Sequence, residues 1–307
     1  MSKLSAKAAD LGFALGWRLT PHVPAGMART LFNVAGDLLA SRNRGGAAQL
    51  RRNLQRVVPQ ADKEELDELV RHAMRSYARY WREVFQLPAM DPGEVADRHL
   101  IEGRENLDAA LAEGNGVMMA LPHTGNWDAA AVWIVRHYRT FTTVAERLKP
   151  ESLYQRFLRF REGLGMELFP LTGDGPVAPK LSARLRENRI VALLADRDLN
   201  RDGVPVTLFG EKTTMPPGPA YLAARTGAAL LPMSTWFTDE GWAIRFHPPV
   251  RVASVREVPS AMQQLADTFA GAIAVHPQDW HMLQPLWLAD LPADDKRVAE
   301  TDGAEAQ

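Results

Sequence analysis

Residues 63–88 (KEELDELVRHAMRSYARYWREVFQLP) set Leu66, Val70, Tyr77, Trp81, Val84 and Phe85 on one stripe at helical spacing. The pattern predicts one long helix. Arg71, Arg75, Arg79 and Arg82 form a basic stripe beside the apolar one, read either as a solvated face or as a contact for lipid or substrate phosphates. From residue 116 the rhythm shortens. GVMMALP reads as a strand, NWDAAAVWIVRHY as a helix, TFTTVAE as a strand, and PESLYQRFLRFREGLG as a helix closed by glycine. MELFPL, VAPKLSARLRENR and IVALLAD continue the alternation. This predicts an α/β fold, a central and mostly parallel β-sheet covered by helices, with a helical N-terminal region. AALLPMSTWFT and GWAIRFHPPV look like a strand pair turning at Asp239–Gly241, and a final helix is predicted over 258–275.

The N-terminal region has its own signature. Residues 1–57 carry nine Lys or Arg (Lys3, Lys7, Arg18, Arg29, Arg42, Arg44, Arg51, Arg52, Arg56) against Asp10 and Asp37, a local balance of +7. Leu11, Phe13, Leu15, Trp17, Leu31, Phe32, Val34, Leu38 and Leu39 are interleaved with them. Such a segment suits an anionic membrane surface, where each basic residue contributes about 1 kcal/mol. A core helix pair with a solvated basic rim is the competing reading. No apolar run approaches the roughly 20 residues that span a bilayer. No convincing signal-peptide cleavage pattern follows Leu11–Trp17. The expected organisation is one domain over 1–290, with 1–90 a helical membrane-associating part and 91–290 the α/β catalytic core. The acidic tail, 291–307, is expected to be flexible.

Composition narrows the chemistry. With no cysteine, disulfides, thiolate metal sites and a cysteine nucleophile are excluded. A formal net charge of −1 makes no global case for nucleic acid. The stretch LPHTGNWDAA (121–130) puts His123 at the carboxyl end of a predicted strand, where ligand sites of α/β sheets gather. Thr124 is a plausible N-cap, and Gly125 lets the backbone approach a substrate. Asp128, in the first helical turn, can fold back toward the His123 ring, fixing its tautomer and raising the basicity of the other nitrogen. There is no Gly-x-Ser-x-Gly elbow and no second histidine at metal-binding spacing, so the substrate is expected to bring its own hydroxyl nucleophile and no metal is expected.

LPHTGNWD resembles the His-x4-Asp motif of glycerolipid and lipid A-type acyltransferases. The resemblance continues in VAERLKPESL (144–153), RFREGLGMELFPL (159–171), LLADRDLNRDG (193–203) and LFGEKTTMPPGPAYLAARTGAALLP (208–232). SYARYWREVFQLPAM (76–90) and HPQDWHMLQPLW (276–287) resemble the actinobacterial phosphatidylinositol mannoside acyltransferases, and the likeness covers about residues 8–290. It implies a glycerolipid acyltransferase-like fold with a hydrophobic acyl groove. It implies transfer of a fatty acyl group, typically palmitoyl from coenzyme A, to a mannose hydroxyl of a phosphatidylinositol mannoside. Acyl-CoA is then a co-substrate rather than a bound cofactor. The protein is expected to be a monomer, peripheral on the cytoplasmic face of the plasma membrane.

In that frame His123 is the general base and Asp128 its orienting acid. Asp196 ends the strand IVALLAD and is expected to be a second acid at the same face; many relatives use Glu there, and the alternatives are pairing with Arg197 or capping a turn. Glu146, Lys149, Arg161 and Arg197 are candidate ligands for sugar or phosphate, or else surface ion pairs. His281 is either a site-lining or a satisfied core histidine. Met118, Met119, Phe157, Phe160, Leu168 and Phe169 can line the acyl groove or belong to the core. A palmitoyl chain buries roughly fifteen carbons at about 0.8 kcal/mol each, so the function demands a groove. Rival readings are an acyltransferase with another glycolipid or lysophospholipid acceptor, an acyl-CoA hydrolase, and a non-catalytic membrane-binding protein.

Overall fold

The computed structural model describes residues 3–291 apart from positions 140, 174 and 200, with side chains from residue 10 onward. The side chains of Lys3 and Lys7 and tail residues 292–307 lie outside the described residues. Four helices come first: α1 (Lys3–Leu19), α2 (Ala25–Arg42), α3 (Gly46–Val57) and α4 (Lys63–Gln86). Helix α4 starts sharply because Asp62 and Glu65 form a reciprocal capping box, the Asp62 carboxylate accepting from the Glu64 and Glu65 amides at 2.8 and 2.9 Å. Its predicted apolar stripe turns inward: Leu66, Val70, Val84 and Phe85 are buried. Helix α2 packs on α4 through Gly36, where a Cβ would stand 2.9 Å from the Met74 carbonyl oxygen. The two backbones can approach this closely only because that position carries no side chain.

The α/β part follows as α5 (Pro92–Asp97), β1 (His99–Glu102), α6 (Arg104–Ala112), β2 (Val117–Leu121), α7 (Trp127–Tyr138), β3 (Phe141–Ala145), α8 (Glu151–Gly163), β4 (Glu167–Pro170), α9 (Ala178–Arg186) and β5 (Ile190–Leu194). Then come β6 (Val204–Leu208), β7 (Glu211–Met215), α10 (Gly218–Thr226), β8 (Ala229–Phe237), β9 (Trp242–Phe246) and α11 (Val258–Val275). Seven strands form one sheet in the order β1-β9-β8-β2-β5-β3-β4, and β6-β7 make a separate antiparallel hairpin. Within the large sheet only β8 and β9 run antiparallel, as the predicted turn at Asp239–Gly241 requires. The mostly parallel sheet matches the alternation read from the sequence. Strand β1, the β6-β7 hairpin and helix α10 were not predicted.

Strand β2 sits at the centre and is buried throughout. Its alternating side chains feed two cores, Met118 packing toward α9, α10 and α11 and Met119 toward α6 and α7. These methionines are therefore core rather than groove. Phe157 and Phe160 are core too, joined to Tyr80 and Phe85, while Leu168 and Phe169 pack at the margins of the two sheet cores. After α11 the chain returns over the carboxyl ends of the central strands. There Trp280 bridges to Thr124, and the Asn53 amide of α3 donates to the carbonyls of Met282 and Gln284 at 2.7 and 3.0 Å.

Candidate active site

The sheet register decides which carboxylate meets His123. Strands β2 and β5 are parallel neighbours with Leu121 opposite Leu194, and the Ala195 amide donates to the Leu121 carbonyl at 2.9 Å. Two residues beyond each strand end, His123 and Asp196 therefore emerge side by side. The His123 Nδ1 lies 2.5 Å from Asp196 Oδ1, and the His123 amide donates to Asp196 Oδ2 at 2.9 Å. The Trp280 indole donates to the same Oδ2 at 3.0 Å. Asp196 is fully buried. Burial pushes its pKa up, but the His123 charge, the two His123 hydrogen bonds and the Trp280 indole outweigh that and hold it below the usual value. With Nδ1–H directed at an ionised carboxylate, the lone pair of His123 resides on Nε2. The ring keeps partial access to solvent, its side chain 18% exposed.

Asp128 does not orient His123, contrary to expectation. Its buried carboxylate accepts from Arg161 Nε at 2.8 Å and from the Tyr80 hydroxyl at 3.0 Å. It ties the first turn of α7 to α8 and α4. Burial opposes the charge on Arg161, but Asp128 and Tyr80 more than offset this and raise its pKa. Burial, followed by the Asp128 charge, pushes the Tyr80 phenol well up, so it stays protonated and donates. The cap of α7 also differs from expectation. Asn126, not Thr124, caps it, accepting from the Ala129 amide at 3.0 Å, while its own amide donates to Glu83 at 2.8 Å. Gly125 lies close against strand β8. It has φ +53, and a Cβ would lie 2.8 Å from the Thr235 carbonyl carbon.

The remaining candidates separate. Arg161 is engaged by Asp128. Glu146 and Arg197 form the ion pair foreseen as an alternative, at 3.3 Å, and the Arg197 Nε is buried without a partner. Asp196 does not pair with Arg197. Lys149 is exposed between β3 and α8 and has no hydrogen-bond or ion-pair partner among the described residues. His281 is buried, and its amide donates to the His123 carbonyl at 2.8 Å. The Ser76 hydroxyl donates to Asp279 at 2.6 Å, so the His281 Nε2, 3.0 Å from the Ser76 oxygen, acts as the donor there. That leaves His281 Nδ1 bare, and it has no partner. Burial, then the nearby His123 charge, lowers the His281 pKa to about 3, so the ring is neutral. It supports the loop that carries His123. Burial raises the Asp279 pKa to about 6 against the pull of Ser76 and the Phe237 amide.

The profile of the bacterial lipid A biosynthesis acyltransferase family matches residues 5–289. The chain belongs to this family. A phosphatidylinositol mannoside acyltransferase of Mycolicibacterium smegmatis is 52% identical over 296 residues, covering 96% of this chain and 96% of that protein. One of Mycobacterium tuberculosis is 50% identical over 293 residues, covering 94% of this chain and 92% of the relative. The resemblance read from the His-x4-Asp stretch and its companion blocks is thus established, and the chain is an acyltransferase by family.

Several residues of this acyltransferase's site escaped the sequence reading. Trp280 and Tyr80 hold the two acids, and Glu83 gathers Asn126, Trp242 and Arg79 on one buried carboxylate. Trp280 and Tyr80 lie inside stretches already singled out by resemblance (276–287 and 76–90). What spacing lacks is which acid each would meet. Among the described residues no three His, Cys, Asp or Glu side chains cluster as a metal site.

Proposed function

We propose that this chain transfers a fatty acyl group, palmitoyl, from acyl-CoA to a mannose hydroxyl of a phosphatidylinositol mannoside. The observation that carries the reading is the His123–Asp196 pair with a free Nε2, in a family member about half identical to two proteins named phosphatidylinositol mannoside acyltransferase. The His123 Nε2 takes the proton of the acceptor hydroxyl as its oxygen attacks the thioester carbonyl. The tetrahedral oxyanion is met by backbone amides at the start of α7. On collapse the carbon–sulfur bond breaks, the imidazolium returns the proton to the departing thiolate, and the ester and free coenzyme A result. No acyl-enzyme forms. Asp196 holds the ring tautomer and stabilises the imidazolium; Asp128 keeps α7 and α8 in place around it. Arg197, with its unmatched Nε, is the candidate ligand for substrate oxygens.

A cavity of about 410 Å³ between α1, α2 and α4 suits the acyl chain. Gly12, Leu15, Leu19, Leu31, Phe32 and Phe85 line it. Ring contacts run from His123 through Trp127, Tyr80 and Trp81 to Phe85, with centroids 4.3 to 6.3 Å apart. Leu11, Leu15 and Leu19 on α1, and Met27, Leu31, Val34 and Leu38 on α2, are exposed and recur every three or four residues. Among the described residues no helix is long and apolar enough to cross a membrane. These outward apolar stripes, with the basic residues between them, suit a peripheral protein lying on an anionic bilayer; the monomeric state and the cytoplasmic face of the plasma membrane are carried over from the resemblance alone. The test is incubation with palmitoyl-CoA and phosphatidylinositol mannosides, reading products by mass spectrometry. A singly acylated mannoside is expected. Thioester cleavage that ignores the acceptor would replace the reading with hydrolysis.

A further inference from the structure

A second cavity, of about 460 Å³, opens on the flank of α4 that bears the arginine stripe. It shares no lining residue with the apolar cavity and does not include His123. Arg29 and Asn33 come from α2, His72, Arg75, Ser76, Arg79 and Arg82 from α4, and Phe237, Asp239 and Asp279 close the other side. Part of this positive charge is matched. Arg75 pairs with Asp37 at 2.5 Å, and Arg79 donates to Glu83 at 2.7 Å and to the carbonyls of Thr238 and Gly241.

The rest is not. Arg82 reaches the same Glu83 oxygen as Arg79, but at 3.3 Å, and its side chain is only 11% exposed. Glu83 is already committed to Asn126 and Trp242 through its other oxygen. Arg29 is exposed, and among the described residues no carboxylate lies within ion-pair distance of it. Burial lowers the Arg82 pKa, and the charges of Arg79, Arg29 and Arg98 lower it further against Glu83 alone. Of the acids in the wall, Asp239 is exposed at the rim, and Asp279 is buried and accepts from Ser76 and the Phe237 amide. A half-buried guanidinium crowded by other guanidiniums is costly unless an anion completes the set.

We propose that this cavity is a binding site for a phosphate-bearing ligand, held by Arg29 and Arg82 with the Asn33 amide as a further donor. Planar guanidiniums with free N–H groups match phosphate oxygens in paired hydrogen bonds. The phosphate comes either from a lipid headgroup phosphodiester or from coenzyme A. Its assignment to headgroup or donor rests on the acyl-transfer reading, whereas the binding itself does not require His123, which does not line the cavity.

The full chain should be titrated by calorimetry with sn-glycero-3-phosphoinositol, with coenzyme A, and with free inositol as the phosphate-free control. Arg29→Gln, Arg82→Gln and, outside the cavity, Arg44→Gln supply the comparison. Arg29 is exposed, so its variant folds even where Arg82→Gln fails to. At least one phosphate probe should bind saturably, and Arg29→Gln should weaken it roughly tenfold, as loss of one charge-assisted contact does, with Arg44→Gln close to the parent. Binding of the glycerophosphodiester alone assigns the site to a headgroup, and of coenzyme A alone to the donor; binding of both supports a general phosphate site. No saturable binding overturns the proposal. So does equal binding of free inositol, or an equal loss in Arg29→Gln and Arg44→Gln. His123→Ala should bind the probes as the parent does, so loss of acyl transfer and loss of this site are read separately.

Discussion

Replacing Asp196 by Asn keeps the side chain's shape and removes its charge. Asp196 accepts three donors, the His123 ring, the His123 amide and the Trp280 indole, at 2.5, 2.9 and 3.0 Å. An amide has one accepting oxygen. If that oxygen keeps the ring, the new NH₂ confronts two N–H donors in a site only 1% exposed. If the amide flips, Nδ1 loses its acceptor and the ring is free to take the other tautomer. Either way the imidazolium formed during transfer loses its counter-charge. The expected cost is roughly 10²–10⁴-fold in kcat, with KM for both substrates little changed. Two unpaired buried donors also cost about 1–3 kcal/mol each in stability. Asp196→Glu adds a methylene where the contact is already 2.5 Å, so overpacking of about 1–3 kcal/mol and a partial loss of kcat are expected. Asp128→Asn is the contrast. It leaves the His123 contacts untouched and strips the buried charge from Arg161, so it should lower Tm, by an amount reflecting about 3–5 kcal/mol for a broken buried pair, more than it lowers kcat per folded molecule. The assay is acyl transfer from palmitoyl-CoA to phosphatidylinositol mannoside, normalised to folded protein, beside thermal melts. Near-parent kcat in Asp196→Asn would refute the reasoning. So would Asp128→Asn melting like the parent but turning over as slowly as a His123 variant.

His123→Ala should reduce kcat roughly 10²–10⁴-fold without a loss of fold, checked by the same assay and by circular dichroism. Gly125→Ala forces a Cβ against Thr235 at a left-handed φ; a loss of about 1–3 kcal/mol by denaturant melts is expected, with lower kcat because the His123 loop shifts. The pH dependence has two opposing parts. His281, lowered to about 3, adds stability that is present above its ordinary value near 6.5 and is lost as pH falls toward 3. Asp279, raised to about 6, adds stability that is present below 3.8 and is lost as pH rises through 6, so Asp279→Asn should steepen the rise of Tm with pH between 4 and 6. Leu31→Glu on the outward stripe of α2 should weaken sedimentation with anionic vesicles while leaving Tm near the parent; unchanged vesicle binding would remove that face from the membrane contact.

The β-α alternation from 116 to 194 was legible because each strand is a short apolar run and each helix carries a 3.6-residue stripe. Helix α11 was readable for the same reason. Strand β1 was not: it has four residues and only partial burial. The β6-β7 hairpin was hidden because β7 reads Glu-Lys-Thr-Thr-Met, polar letters whose threonines are nonetheless buried, Thr213 against the chain after α11 and Thr214 on Asp198. His123 and Asp196 were legible as candidates, but their contact was not. It depends on β5 inserting next to β2 while β3 and β4 move outward, a strand order that no local pattern encodes. Asp128 misled for the complementary reason. Five residues of separation suggest proximity, yet its partner Arg161 is thirty-three positions away. The acid that meets the histidine is seventy-three away.

The loop that crosses the strand ends after α11 bears on how this protein is made. Sheet neighbours β2 and β5 and the acid beyond β5 are all present once residue 196 has been synthesised, so the histidine and its acid can meet early. The indole that fixes the acid and the amide that fixes the histidine carbonyl arrive only with Trp280 and His281. The same segment then latches onto Asn53 of α3, one of the earliest helices to leave the ribosome. A nascent or prematurely terminated chain ending before residue 276 thus has a sheet and a loosely held pair but no latch. Translation itself withholds the finished centre until the segment after α11 closes on α3.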